Sequence, residues 1–298
     1  MKKSIKIIMM LLLTFSFVIG VSLPAAASTT INEKLGVPIL VLGANLSDAQ
    51  KEEARKLLNV KKDETVEEFE ITGEDAAKYI NGNPDARMFS SAKIVRQEEG
   101  TGLVINIVTP EKITQVSSEM YANALLTAGV ENATVDVASP VKVTGHSALT
   151  GIYKAYDVQG VELDKDRMEL ANEELGVATN LAEKEGLSQE KVSELLTEIK
   201  KAIAEQNPAT EEEVQKIVED QLSKLNISLS EADRQMLIDL FNKMRDLNID
   251  FGKVKNQLED LTGTIKDKAD ELGLDAGFWE KVANFFSELF ESISNLFK

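Results

Sequence analysis

The sequence of 298 residues contains no cysteine, one tryptophan and one histidine, His146. Without cysteine the chain has no disulfide, no thiolate metal ligand and no cysteine nucleophile. A single imidazole also excludes zinc sites that are built from several histidines. Basic residues are few beside acidic ones, 33 against 50. The formal net charge of −17 argues against a nucleic-acid-binding surface and favours neutral or basic partners.

The first 27 residues have the features of a secretory signal peptide. Lysines at positions 2, 3 and 6 precede an apolar run over residues 7–21, and Ala25–Ala27 supply the small residues of a cleavage site. We expect cleavage after Ala27, and a mature chain that is secreted or associated with the cell envelope. The mature chain has no apolar stretch of about 18 residues, so we expect no transmembrane span in it.

The composition of the mature chain changes near Gly160. Residues 28–160 contain ten glycines and four prolines, whereas residues 161–298 contain six and one. Because Gly and Pro separate short elements, the first part predicts mixed strands and helices and the second predicts helices alone. We therefore predict an α+β fold, in which an α/β domain over 28–160 precedes an acidic helical bundle over 161–298.

Two stretches of the first part predict the same β-α-β-α order. The first has a strand at 38–42, a helix that opens at Ser47, a strand at 66–71 and a helix that opens at 72–73. The second has the corresponding elements at 103–108, 113–126, 133–143 and 144–145 onward. These stretches are either a duplicated unit or a chance similarity of generic patterns. Residues 89–95 predict a further strand, joined to the second stretch as a hairpin through 99–102.

The last segment of the helical part is rich in aromatic residues. Five of them are candidates for docking a partner or a membrane, namely Phe278, Trp279, Phe285, Phe286 and Phe290. They lie on one wide apolar face, and such a stripe is also typical of a helix that closes a core. The opposite face has no excess of Lys or Arg, which argues against the membrane version.

Motifs that carry catalysis or cofactor binding are missing. The sequence has no Gly-x-Ser-x-Gly elbow, no phosphate-binding Walker loop and no complete calcium-binding loop. We therefore predict no catalytic, cofactor-binding or metal-binding residues, and no cofactor. The prediction for enzymatic activity leans toward none.

One candidate for ligand binding is the tetrapeptide Thr144, Gly145, His146 and Ser147, at the start of a predicted helix. Free N–H groups at a helix start favour an anionic ligand. The alternative is a capping turn with an exposed imidazole, because the same Thr-Gly pair occurs at Thr72 before another helix.

Several phrases of the first part resemble the YpuA-like family of exported Gram-positive proteins, a domain of unknown function. They are Ser90-Ser91-Ala92-Lys93-Ile94, the stretch from Ile107 to Thr114, Tyr121-Ala122-Asn123-Ala124-Leu125, and Val143-Thr144-Gly145 through Ala155. The resemblance covers about Pro38 to Tyr156 and is looser in the helical part. It implies a setting outside the cytoplasm and brings no catalytic residues with it.

Together these features predict a secreted, non-enzymatic protein of the cell envelope that binds or regulates a partner, either an envelope protein or a wall component. Two alternatives remain. One is a hydrolase that modifies the cell wall with carboxylates. The other is a peripheral protein that docks on the membrane surface through its last helix.

Overall fold

The computed structural model describes residues 35–184 and 186–271, with side chains up to Asp267. Five strands and nine α-helices occur in this part of the chain. The strands are β1 (Ile39–Gly43), β2 (Glu67–Ile71), β3 (Ser91–Arg96), β4 (Leu103–Ile107) and β5 (Ala133–Ala138). The helices of the first part are α1 (Asp48–Leu57), α2 (Gly73–Ile80), α3 (Ser118–Ala128) and α4 (Ser147–Val158). Those that follow are α5 (Lys165–Lys184), α6 (Gln189–Gln206), α7 (Glu211–Lys224), α8 (Glu231–Asp246) and α9 (Lys255–Glu271).

The strands form one mixed sheet in the order β2-β1-β3-β5-β4. β1 pairs with β2 in parallel, and β4 pairs with β5 in parallel. β3 runs antiparallel to both of its neighbours. The predicted β-α-β-α order is therefore present twice, with a helix after each strand of the two parallel pairs, and the α+β class is confirmed.

The hairpin predicted between β3 and β4 is wrong, because β5 lies between these strands. The connecting turn is held by Asn132, the residue before β5. Its side-chain oxygen accepts hydrogen bonds from the amides of Gly100 at 2.9 Å and Gly102 at 3.0 Å. The turn thus contacts the residue that precedes β5, the strand that lies between β3 and β4.

The two parallel units place their first helices on opposite faces of the sheet. α1 packs on Leu40 and Leu42. α3 belongs to the larger core on the other face, which contains Ile39 and Val41. Both connections step across the sheet in the same direction, so a right-handed crossover in one unit requires a left-handed crossover in the other. The two units therefore share an order of elements without being superimposable.

Most helix starts agree with the sequence. The side chain of Ser47 caps α1 as predicted, and the side chains of Thr210 and Ser230 cap α7 and α8. The start predicted at Ile113-Thr114 is wrong, since α3 begins at Ser118 with Ser117 as its cap. Ile113 instead forms a parallel bridge with Val143, so this segment is extended.

The helices after Gly160 pack directly on the helical layer of the sheet. α5 contacts α2 and α3, and α6 contacts α3, α5, α7 and α9. One hydrophobic cluster runs through both parts of the chain. The domain boundary at Gly160 stays a prediction. Among the described helices, none combines the length and the apolar character that crossing a bilayer needs.

A charged pair lies at the centre of the helical packing. The Lys200 side chain on α6 is 0% exposed, and its ammonium nitrogen is 2.5 Å from a carboxylate oxygen of Glu174 on α5. It also donates to the backbone carbonyl of Asn123 on α3 at 2.8 Å. The second carboxylate oxygen of Glu174 accepts from the Thr127 hydroxyl at 2.6 Å. Burial lowers the pKa of Lys200, and Glu174 opposes that shift. The pair thus links three helices from both parts of the chain.

Because removal of one partner leaves an uncompensated buried charge, Lys200→Met should lower the free energy of unfolding by about 3–5 kcal/mol. The double variant Lys200→Met with Glu174→Leu should recover most of that loss, since neither charge then remains. Urea denaturation followed by circular dichroism measures both values.

The matched control is Lys243→Met, which breaks the exposed pair with Glu173. It should cost less than about 1 kcal/mol. A loss for Lys200→Met no greater than for this control would contradict the central role of the buried pair.

Candidate functional site

The segment that leads into α4 is held by backbone pairing with the segment before α3. The amide of Val143 donates to the carbonyl of Lys112 at 2.8 Å. In return, the amides of Thr114 and Gln115 donate to the carbonyls of Val143 and Thr144 at 3.0 and 3.2 Å. The residues before α4 therefore have a fixed backbone, although they belong to no long strand.

Gly145 occupies a position that a side chain would not fit. Its φ of +113° lies in the region that favours glycine, and a Cβ atom would lie 2.8 Å from Ile113 Cγ2. The hydroxyl of the fully buried Tyr121 donates to the Gly145 carbonyl at 2.5 Å. Burial raises the pKa of Tyr121, so this phenol keeps its proton and remains a donor. Tyr121 on α3 thus positions the first residues of α4.

The first turn of α4 lacks a side-chain cap. His146 occupies the cap position and makes no capping hydrogen bond. Thr72 does cap α2, in a capping box with Asp75, but Thr144 does not act in the same way on α4. The predicted recurrence of the Thr-Gly capping turn is therefore wrong. The amides of the second and third helical residues donate instead to backbone carbonyls three residues earlier, at 3.1 and 3.2 Å.

The imidazole of His146 is half-buried and contacts α5. Its Nε2 atom is 3.3 Å from the Thr179 hydroxyl oxygen. That hydroxyl donates to the carbonyls of Leu175 and Gly176, both at 3.1 Å, which leaves the imidazole as the donor in the shared contact. Burial lowers the pKa of His146, and the charge of Glu183 opposes part of the shift. The histidine is therefore neutral near pH 7.

The predicted tetrapeptide borders a cavity of about 350 Å³. Thr144 is exposed at the cavity, His146 and Ser147 are half-buried in its wall, and Gly145 lies beneath it. The wall also contains four polar residues that the sequence did not indicate, namely Asn83, Arg87, Lys142 and Thr150. Ile80, Met88 and Phe89 are among its apolar residues. The structure thus brings Thr144, His146 and Ser147 to one concave site.

The opposite wall of the cavity is the loop between α2 and β3. This loop is anchored by the Asn45 side chain, whose oxygen accepts from the Met88 amide at 2.7 Å. The carbonyl of Pro84 approaches Gly73 so closely that a Cβ atom there would lie 2.0 Å from the oxygen. Arg87 lies over the ring of Phe89 at 4.8 Å from its centre, which fixes the guanidinium at the rim.

A second concave surface follows the edge strand β4. This groove of about 570 Å³ lies between β4, α3 and α9, and Glu119 and Asp260 are its acidic residues. Glu119 is buried and Asp260 is exposed. Among the described side chains, no three His, Asp or Glu residues are placed to hold a metal ion. The candidate docking residues Phe278, Trp279, Phe285, Phe286 and Phe290 lie outside the described residues.

The only histidine offers a direct measurement of this site. We expect the His146 resonance in a proton NMR titration to report a pKa below the ordinary value of 6.5, because burial disfavours the charged ring. The unfolded chain then takes up the proton first as the pH falls. The free energy of unfolding should therefore decrease on acidification through that range. A His146→Gln variant should lack this part of the pH dependence of stability. A titration midpoint of His146 at or above pH 6.5 would contradict the lowered pKa.

Gly145→Ala should lower the free energy of unfolding by about 1–3 kcal/mol, because it combines a positive φ with a steric overlap. Gly176→Ala on α5 is the matched control, since a Cβ atom there meets nothing within 4 Å. That variant should be neutral or stabilise the helix by about 0.5–1 kcal/mol. Thermal denaturation of both variants checks the difference, and equal stability would show that the turn before α4 is not constrained.

The chain is similar to known proteins over most of its length. Residues 42–261 match the family described as "Protein of unknown function (DUF1002)". An "Uncharacterized protein YpuA" of Bacillus subtilis (strain 168) is 36% identical over 276 residues, which cover 89% of this chain and 91% of the relative. No solved structure matches the chain. The resemblance found in the sequence is thus confirmed, and the chain belongs to the DUF1002 family of proteins of unknown function.

Proposed function

We propose that the protein is an exported, non-enzymatic protein of the cell envelope, and that it binds a ligand or a partner group in the cavity at the start of α4. The observation that carries the proposal is the convergence of three hydroxyl side chains and two basic side chains in one cavity at the start of a helix. A concave site with a few convergent polar groups on an apolar wall is typical of ligand binding.

Export is supported by the amino-terminal sequence alone. The three lysines, the apolar run and Ala25–Ala27 are the elements that a signal peptidase substrate needs. Binding at an anionic envelope also suits a chain of strongly negative charge, because such a chain is repelled from non-specific adsorption.

A hydrolase that uses carboxylates is less well supported. The described groove along β4 contains two acidic side chains, and one of them, Glu119, is buried against the core on α3. The cavity at α4 has polar groups that suit binding, and its histidine is held by Thr179 rather than by a neighbouring carboxylate. Membrane docking by the aromatic residues from Phe278 to Phe290 remains a proposal of its own.

The test is site-specific photo-crosslinking in intact cells. A photo-reactive residue in place of Thr144, which is exposed at the cavity, should give a covalent adduct in the envelope fraction. The same residue in place of Lys216, exposed on α7, is the control and should give none. The recovered chain should begin at Ser28. A chain that stays in the cytoplasm, or equal labelling from both positions, would contradict the proposal.

A further inference from the structure

The charged side chains of the cavity at the start of α4 are basic, although the chain as a whole is acidic. The whole chain carries a formal charge of −17, yet the described residues that line this cavity include no carboxylate. Its charged side chains are Arg87 and Lys142, and the titratable His146 stands beside them. A local excess of positive charge in a strongly acidic protein favours an anionic ligand at this place.

One buried hydroxyl group in the cavity wall has no hydrogen-bond partner in the protein. Thr150 lies one turn beyond Ser147 on α4 and is 0% exposed. Its Oγ1 atom has no hydrogen-bond partner, although a helical threonine commonly bonds to a carbonyl of the preceding turn. Buried hydroxyl groups without partners are uncommon and cost free energy. A ligand in the cavity would supply the partner that the protein does not.

The helix start adds a third feature. α4 is twelve residues long, and its positive dipole end faces the cavity through Ser147 without a side-chain cap. Donors therefore come from separate segments: Arg87 from the loop after α2, Lys142 and Thr144 from the loop after β5, and Ser147 with Thr150 from the helix. A carboxylate has two oxygens that can accept hydrogen bonds, whereas a phosphoryl group has three, which suits donors that come from three segments. Arg87 can bind two of these oxygens at once.

We infer that the cavity at the start of α4 binds the phosphoryl group of a phosphate ester, with the carbon portion of the ligand against Ile80, Met88 and Phe89. This inference deepens the proposed function and rests on it. The volume of about 350 Å³ suits a small ester head rather than a polymer. The same phosphoryl chemistry occurs in soluble esters and in lipid headgroups.

The test is isothermal titration of the purified full-length protein with glycerol 3-phosphate, and with glycerol as the uncharged probe. We expect saturable binding of the phosphate ester at one site and none of glycerol. Arg87→Gln and Lys142→Gln should each weaken the affinity at least about tenfold. Lys216→Gln removes the same charge from an exposed position on α7 and should leave the affinity unchanged.

Two further variants separate binding from folding. Ser147→Asp places a carboxylate in the first turn of α4, where it suits the helix dipole, so the melting temperature should not fall while binding is lost. Thr150→Val removes the unpartnered hydroxyl at nearly constant shape, and it should weaken binding while the melting temperature stays equal or rises.

Flotation with phosphatidylglycerol vesicles, against phosphatidylcholine vesicles, is the second arm. Vesicle binding that the same cavity variants abolish, without binding of the soluble ester, would support a headgroup as the source of the phosphoryl group. No binding in either arm, or equal weakening by Lys216→Gln, would overturn the inference. In that case an adduct from the Thr144 position would still support the proposed function with a ligand of another class.

Discussion

The buried contact between Lys200 and Glu174 is the constraint on which the rest of the structure depends. It joins α5 to α6, and through the carbonyl of Asn123 it holds α3 between the sheet and the outer helices. α3 also carries Tyr121, whose hydroxyl fixes the Gly145 carbonyl before α4. A continuous series of contacts therefore leads from the centre of the helical packing to the rim of the cavity. Disruption of the buried pair should affect the site although no member of the pair lines it.

The charge distribution explains how one chain is strongly acidic and still offers a site for an anion. The acidic residues of the helices lie mainly on solvated faces, as in α7, where Glu211, Glu212 and Glu213 form the first turn. The described wall of the cavity has basic side chains in place of carboxylates. Repulsion from the outer surface and attraction in the cavity act at different places on the molecule, since screening at physiological salt limits each to about 8 Å. Net charge thus describes the surface and says little about the site.

The sequence predicted the features that depend on neighbouring residues. Ser47 was predicted to open α1 and caps it through a bond to the residue three positions on, so local spacing was enough. Thr210 and Ser230 cap α7 and α8 with the same spacing. The predicted hairpin was wrong because β5 lies between β3 and β4, and this position depends on pairing between residues that are far apart in the sequence. Arg87 and Thr150 were missed at the cavity for the same reason. A signal for Lys200 did exist, since it lies between Ile199 and Ile203 beside the apolar stripe of α6.

The two edges of the sheet differ in how they oppose self-association. β2, on one edge, has glutamate at three of its five positions, and two of them pair with Lys51 and Arg55 of α1, so a second copy that approached it would meet charged side chains. β4, on the other edge, is partly covered by α9, where the Gln257 side chain accepts from the Leu103 amide at 3.1 Å. Salt weakens the first kind of protection and leaves the second intact. Aggregation at high ionic strength should therefore begin with the addition of a strand from a second copy at β2. No such addition is expected at β4, which α9 covers.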